Sequence, residues 1–240
     1  MTTSAGVKAQ RKWWILIACV VICVLLVVSL LVFVLTRKHD APQPRPTAST
    51  ELDKLATLPI KGRAPKTGYD RGKFGPPWTD NNDAPLGHNG CDTRDDILRR
   101  DLLSVNVEPR SNCIVFDGVL HDLYSGTTVQ FHRGPGTSSL VQIDHMVALL
   151  DAWQTGAFGW DDDKRRNFAN DPANLQATIR SLNEQKRDGD AATWLPPNKA
   201  YRCMYVSRQV DVKATYGLWV TQSEHDKIAE ILTACGTASK

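Results

Sequence analysis

The chain has 240 residues, of which 42% are hydrophobic and 23% are charged, with a formal net charge of +3. That excess comes from Lys8, Arg11 and Lys12, because residues 36–240 hold equal numbers of basic and acidic side chains. The overall charge therefore gives no support for a basic, nucleic-acid-binding surface. Any affinity for an anionic partner must come from local clusters or from a bound cation.

The first predicted element is a membrane-spanning helix over residues 13–35. The run from Trp13 to Leu35 carries no charge, and at about 1.5 Å per residue it can cross a hydrocarbon core of about 30 Å. It is longer than the apolar region of a cleavable signal peptide and lacks a small-x-small cleavage site. The positive charges of the tail, residues 1–12, favour a cytoplasmic N-terminus. The sequence thus predicts a single-pass protein of the cell membrane whose remainder lies outside the cytoplasm.

The second predicted element is a stalk over residues 36–77, rich in Pro, Thr, Ala and Gly. Such a composition is typical of a semi-rigid linker, here with one short helical stretch at Glu51–Thr57. Residues 78–240 remain, and that length fits one domain of ordinary size with its own core.

The first half of this domain is predicted to contain a helix and a β-hairpin. Asp92 or Thr93 is a suitable cap for a helix through DDILRRDLL. Apolar and polar residues alternate in CIVFDGVLHD and in TTVQFHR, with a turn at residues 123–126 between them. This pattern predicts two antiparallel strands.

The second half is predicted to be mostly helical, which makes the class α+β. SLVQIDH indicates a short strand that leads into the helical spacing of MVALLDAWQTG. NLQATI indicates another short strand, and SLNEQKR indicates a helical turn directly after it. Two helices, over about residues 198–215 and 222–235, complete the chain.

Four cysteines follow the predicted span: Cys91, Cys113, Cys203 and Cys235. An even number outside the membrane is typical of two disulfides, for which three connectivities exist. We favour Cys91–Cys113 and Cys203–Cys235, because each pair encloses a self-contained segment. The alternative is a four-thiolate zinc site, which usually contains a C-x2-C pair that this chain lacks.

Asp144 and His145 are the first candidate site residues. Cleavage of a phosphodiester requires a base to deprotonate water and a cation to neutralise the developing charge. A carboxylate is a hard ligand suited to Mg2+, and histidine has the ordinary pKa of a general base near neutrality. Because neighbours on an ideal strand point to opposite faces, the pair must lie at a strand end or a bend.

Asn174 and Asn183 complete the candidate site. A short strand is predicted directly after Asn174, and a helical turn follows that strand. Together they would bring Asn183 beside Asp144, where the amide oxygen of Asn183 is a second metal ligand. Asn174 lies at the turn into that strand, where it can fix the loop that orients the imidazole of His145.

Three basic side chains are predicted phosphate contacts. Lys186 lies one helical turn after Asn183, and Arg133 follows a predicted strand within the Gly-rich FHRGPG. Arg166 lies in the segment DDDKRRNFAN. Each has an ordinary alternative, namely a solvated helix charge, a loop charge and an ion pair within its own helix.

The order Asp144–His145, then Asn174 before a short strand, then Asn183 and Lys186 resembles the HNH (ββα-metal) endonucleases. In that family the Asp and the last residue of the motif bind the metal, the His acts as base and the central Asn braces the loop. Many members have His at the last position, and Asn183 here favours Mg2+ over zinc because an amide oxygen is a hard ligand.

The wider context, including FANDPANLQA and DAATWLPPNKAYRC, is similar to secreted and membrane-anchored actinobacterial HNH proteins and to the C-terminal domain of GmrSD-type restriction enzymes, over roughly residues 85–235. The resemblance implies a ββα-metal core with a β-hairpin and surrounding helices. It also implies metal-dependent hydrolysis of nucleic acid, with DNA favoured over RNA.

Low sequence specificity is expected, because the chemistry contacts the phosphate backbone and the chain has no recognisable base-reading module. No protein partner is implied. The alternative is a non-catalytic, disulfide-stapled binding module at the cell surface, because anchor, stalk and cysteines fit that function equally well.

Overall fold

The structure is a computed structural model that describes Trp14 and residues 47–238. The predicted tail, the predicted anchor apart from Trp14, and the first part of the predicted stalk lie outside the described residues. Among the described residues, no helix combines the length and the apolar character needed to cross a membrane.

The predicted stalk over residues 36–77 is wrong from residue 47 onward. Helix α1, Ala48–Thr57, packs against the two C-terminal helices, and its Leu55 is 1% exposed. Phe74, further along the same segment, is also 1% exposed and belongs to a hydrophobic cluster of the domain. Burial of these side chains makes the segment part of the domain, whose predicted start at residue 78 is too late.

Helix α2, Thr93–Asp101, ends earlier than its sequence predicts. The carboxylate of Asp92 accepts a hydrogen bond from the N–H of Asp95, so the predicted cap is confirmed. The predicted helix through DDILRRDLL would include Leu102, which instead begins strand β1. Leu102 pairs with Leu120 of the neighbouring strand and is buried, so tertiary pairing overrides helix propensity here.

A three-stranded antiparallel sheet with the order β1-β2-β3 follows α2. Its strands are β1, Leu102–Val107; β2, Val115–His121; and β3, Thr128–His132. The predicted hairpin is confirmed as β2–β3, with Val119 opposite Gln130.

A second, two-stranded antiparallel sheet contains the residues that the sequence singles out. Strand β4 is Val141–His145 and strand β5 is Leu175–Ile179, with Asp144 opposite Gln176. The connection between them contains helices α3, Leu149–Gln154, and α4, Asp162–Asn170. Helix α5, Arg180–Lys186, follows β5 directly. The chain therefore has a strand–strand–helix unit at this position.

Helices α6, Arg202–Tyr216, and α7, Gln222–Ala238, complete the described chain. The disulfide Cys203–Cys235 joins them, and Cys91–Cys113 joins the start of α2 to the loop between β1 and β2. These are the two pairings that the sequence analysis favours. The mixed architecture confirms the predicted α+β class.

The hydrophobic core has three clusters of buried side chains. One lies among α1, α6 and α7 around Tyr205. Another surrounds Phe168 of α4 and includes Phe74. The third lies between α2 and both sheets, where Phe131 of β3 and Ile143 of β4 are buried together. This third cluster fixes β4, and with it the candidate site, against the first sheet.

Candidate functional site

One cavity brings together Asp144, His145 and Asn183, three of the four residues proposed for metal binding and catalysis. Its volume is about 350 Å³. His145 is the last residue of β4, where the chain leaves the sheet, which is the strand-end arrangement that the sequence analysis requires. The remaining lining residues are Tyr69, Arg71, Ile143, Ala148, Leu149, Leu150, Glu184, Arg187 and Asp188.

The imidazole of His145 is buried and held on two sides. Its Nε2 lies 2.9 Å from the carbonyl oxygen of Ala169, and because a carbonyl only accepts hydrogen bonds, Nε2 bears the proton. Nδ1 is then the basic nitrogen. The indole of Trp78 stacks on the ring, with centroids 5.6 Å apart and planes 14° from parallel.

The electrostatic environment keeps His145 neutral. Burial lowers the pKa of His145 to about 3; the hydrogen bond to Ala169 opposes this change, and the charges of Arg71 and Lys186 add to it. A neutral imidazole with an unprotonated Nδ1 is in the protonation state that a general base requires, and the lowered pKa makes it a weaker base than an exposed histidine.

Asn174 does not line the cavity and bonds instead to backbone groups near the imidazole. Its side-chain oxygen accepts from the N–H of Val147 at 2.9 Å, and its backbone oxygen accepts from the N–H of Met146 at 2.7 Å. Its amide nitrogen lies 3.4 Å from the carbonyl oxygen of Phe168. Asn174 thereby joins the residues after His145 to the end of α4, which supplies the carbonyl that holds the imidazole.

Within the described part of the chain, the carboxylate of Asp144 has two hydrogen-bond partners. The hydroxyl of Tyr124 donates to Oδ2 at 2.6 Å, and the ammonium of Lys186 donates to Oδ1 at 3.0 Å. Burial, followed by the charge of Asp144, raises the pKa of Tyr124 well above its usual range, so its hydroxyl stays protonated and donates. Asp144 is 4% exposed and still lines the cavity.

Asn183 lies on α5 at the same cavity. Its amide nitrogen donates to the side-chain oxygen of Gln142 at 2.7 Å. The amide oxygen is therefore the atom that remains to bind a cation. Asp144 and Asn183 together offer oxygen donors of the kind that Mg2+ prefers.

None of the three basic residues predicted to contact phosphate lines this cavity, and each is bonded to other groups of the protein. Lys186 is 2% exposed and is bonded to Asp144 and to the backbone oxygen of His145 at 2.6 Å, so its ammonium group is not presented to solvent. Arg133 donates to the backbone oxygen of Val115 at 2.7 Å and pairs with Asp95, away from the cavity.

Arg166 is the third of these predicted contacts. It pairs with Asp163 within its own helix at 2.9 Å, as the alternative interpretation predicts. It lines a different cavity, next to Lys73 and Gly75.

Sequence reasoning missed the cations that do line the cavity, Arg71 and Arg187. Arg71 lies in the short 3-10 helix Arg71–Phe74, within the segment interpreted as stalk. The prediction from sequence also missed Trp78, whose positive φ of 56° is unusual for a bulky residue. The one available signal was the concentration of aromatic and basic residues in YDRGKFGPPW, which is atypical of a linker.

A second group of acids, Asp151, Asp190 and Glu224, is buried elsewhere, with oxygens within 4.8 Å of one another. Two cations lie among them. Lys213 is 3.1 Å from Asp151 and 2.7 Å from Glu224, and Arg63 is 3.0 Å from Asp151 and 2.7 Å from Asp190. The protein's own side chains therefore supply the cations for this cluster.

The fold and the cavity define an α+β protein with a carboxylate, a neutral imidazole and an amide at one site. The family described as "GmrSD restriction endonucleases, C-terminal domain" matches residues 92–231, and the chain belongs to this family. The predicted resemblance to that domain is confirmed. The match includes β4, β5 and α5 and leaves out the segment with Arg71 and Trp78.

The chain is also similar to a curated relative, an uncharacterized secreted protein of Arthroderma benhamiae. The two are 34% identical over 208 residues, which cover 85% of this chain and 95% of the relative. No solved structure matches the chain significantly.

Proposed function

We propose that the chain is a metal-dependent endonuclease of the HNH type that hydrolyses phosphodiester bonds of nucleic acid, with DNA preferred and with low sequence specificity. One observation carries the proposal: the adjacent residues Asp144 and His145 of β4 line a single cavity together with Asn183 of α5, which is distant from them in sequence. The strand–strand–helix order of β4, β5 and α5 supports a ββα-metal core. Membership of a family named for restriction endonucleases supports the reaction class.

In this mechanism, Nδ1 of His145 accepts a proton from the attacking water. The carbonyl of Ala169 holds the imidazole in the required tautomer, and Trp78 restricts the tilt of its ring. Asn174 is a positioning residue, because it fixes the backbone on both sides of this arrangement. Arg71 and Arg187 contact the oxygens of the bound phosphate.

A divalent cation, Mg2+ in this proposal, would be held by Asp144 and Asn183 and would neutralise charge that develops on the scissile phosphate. The donor set fits such a cation, since both residues line the cavity and their side chains contain hard oxygen atoms. Lys186 already neutralises part of the charge of Asp144, which predicts moderate rather than tight binding of the metal.

We further propose that the domain works outside the cytoplasm, anchored by the membrane-spanning segment that the sequence predicts over residues 13–35. Two disulfides between buried or half-buried positions are typical of an oxidising compartment. The relative from Arthroderma benhamiae is itself described as secreted.

The test is plasmid nicking by the purified, oxidised full-length chain, with Mg2+ or EDTA. We expect nicking that requires metal and falls by about 10²–10⁴ in His145→Ala, because that variant loses the base. His121→Ala is the matched control, since His121 is exposed on β2 and bonds only to Thr128 among the described residues. Equal activity of wild type and His145→Ala would disprove the assigned base.

The same assay decides the non-catalytic alternative. If a folded wild-type chain cleaves neither DNA nor RNA with Mg2+, Mn2+, Ca2+ or Zn2+, the nuclease proposal fails. A disulfide-stapled binding module would then be the better account of the cell-surface domain.

A further inference from the structure

A second cavity adjoins the candidate site and shares Arg71, His145 and Leu149 with it. Its volume is about 170 Å³, below the range of about 300–1,000 Å³ that drug-sized ligands occupy. Most of its wall is apolar and comes from one continuous segment that includes Phe74, Pro76, Pro77 and Trp78. The cavity therefore has room for one small, mostly apolar group next to the imidazole.

Asn170 lines this cavity and has a buried side-chain oxygen without a hydrogen-bond partner among the described residues. The side chain is buried, with the residue 2% exposed, and its amide nitrogen donates to the backbone oxygen of Arg166 at 2.9 Å. That bond fixes the orientation of the amide, because a backbone carbonyl cannot donate. The amide oxygen is left without a hydrogen-bond partner among the described residues, a state that costs about 1–3 kcal/mol.

The structural role of Asn170 does not account for this oxygen. Holding the end of α4 requires only the amide nitrogen, which binds Arg166. The oxygen can be satisfied by a ligand that brings an N–H donor into an otherwise apolar cavity. A nucleobase has both properties, a flat apolar face and N–H donors at its edge, whereas a sugar or a phosphate would place polar groups against the apolar wall.

We propose that this cavity is a nucleobase subsite, which binds the base of a nucleotide adjacent to the cleaved phosphodiester, with Asn170 accepting a hydrogen bond from it. This inference rests on the proposed nuclease function and adds a binding site for one base of the substrate. Since His145 lines both cavities, a base in the second cavity belongs to a nucleotide whose phosphate lies in the first. Every common base has an N–H donor, so the subsite favours the presence of a base without selecting one.

The test uses the full-length chain and oligonucleotides with one cleavable phosphodiester, the other linkages being phosphorothioates. One substrate is intact, and two others have an abasic nucleotide on the 5′ or the 3′ side of the cleavable bond. For the wild type, we expect an abasic nucleotide on one side to lower kcat/KM about 10–100-fold, as expected for the loss of one stacked base.

In Asn170→Ala we expect the intact substrate to be cleaved about 10-fold less efficiently and the abasic substrate at the wild-type rate, so the penalty for the missing base shrinks. Asn167→Ala is the control: Asn167 is on the same helix, binds Asp83 and lines none of the three cavities described. It should keep the full penalty.

An equal penalty in wild type and Asn170→Ala would overturn the subsite while leaving the nuclease intact. Absence of metal-dependent cleavage by the wild type would instead overturn the proposed function itself.

Discussion

Lys186 places a buried ammonium group beside the carboxylate that the proposed mechanism assigns to a cation. Its side chain is 0% exposed and lies 3.0 Å from Asp144. The pair neutralises two charges that would each be costly to bury alone. The same contact makes Lys186 a competitor for a metal on Asp144, so stability and metal affinity are coupled at this one residue.

Lys186→Met should therefore destabilise the protein by about 3–5 kcal/mol in EDTA, because it leaves the carboxylate of Asp144 buried with Tyr124 as its one donor among the described residues. Added Mg2+ should restore more stability to the variant than to the wild type, since a cation can take the position of the ammonium group. Urea unfolding with and without Mg2+ measures both effects.

Lys227→Met is the matched control for this prediction, because Lys227 makes an exposed pair with Glu230 on α7 and should cost under about 1 kcal/mol. Combining Lys186→Met with Asp144→Asn should recover part of the lost stability, since the uncompensated charge is then absent. A Lys186→Met variant as stable as the wild type in EDTA would refute the buried pair.

At the scale of residues, the sequence predicted which side chains share the cavity, but not which groups each of them contacts. Asp144, His145 and Asn183 line one cavity because the strand after Asn174 and the helix after it follow the predicted order. Lys186 was predicted to contact phosphate, since a sequence displays its charge but not the carboxylate beside which it is buried.

At the scale of elements, the disulfide Cys203–Cys235 holds the two C-terminal helices that form the surface on which α1 packs. Its sequence separation of 32 residues corresponds to a stabilisation of about 3–4 kcal/mol in the chain-entropy model. We expect Cys203→Ala/Cys235→Ala to lose about that much stability in urea unfolding.

Nuclease activity at low temperature should persist in this variant, because neither cysteine lines the candidate cavity. Cys91→Ala/Cys113→Ala is the matched comparison, with a separation of 22 residues, and should lose slightly less stability. Loss of activity in a Cys203→Ala/Cys235→Ala protein that remains folded would show that the helical pair supports the site more directly than the fold suggests.

The elements that the sequence predicted are those whose pattern is local. Strands β2 and β3 alternate clearly, and α2 begins at its predicted cap. The segment from residue 47 to 77 was misassigned, because its few apolar residues are spread among Pro and Gly. Their burial depends on contacts with helices that are distant in sequence. Leu55 and Phe74 are buried by distant helices, which no local pattern encodes.

At the scale of the whole molecule, the buried charge cluster joins five separate segments. Arg63 comes from the segment after α1, Asp151 from α3, Asp190 from the loop after α5, Lys213 from α6 and Glu224 from α7. Three carboxylates face two cations, which leaves one carboxylate without a full counter-charge. Burial raises the pKa of Glu224 to about 7; Lys213 opposes this change, and Asp151 adds to it.

This pKa sets the sign of a pH dependence. Between the ordinary pKa of a glutamate and about 7, folded Glu224 holds a proton that the unfolded chain has released, so stability falls as pH rises through this window. The loss is on the order of 3 kcal/mol at most. Glu224→Gln imitates the protonated form at every pH and should lack this contribution.

Stability of Glu224→Gln relative to the wild type should therefore be higher at pH 8 than at pH 5, as measured by urea unfolding at both values. Contributions from groups remote from this charge cluster are shared by the two proteins and cancel in the difference. Glu230→Gln, on the same helix but exposed, should show no such change between the two pH values. If Glu224→Gln follows the wild type across this range, Glu224 is ionised throughout, and the five segments meet around a fully charged cluster instead of one that retains a proton.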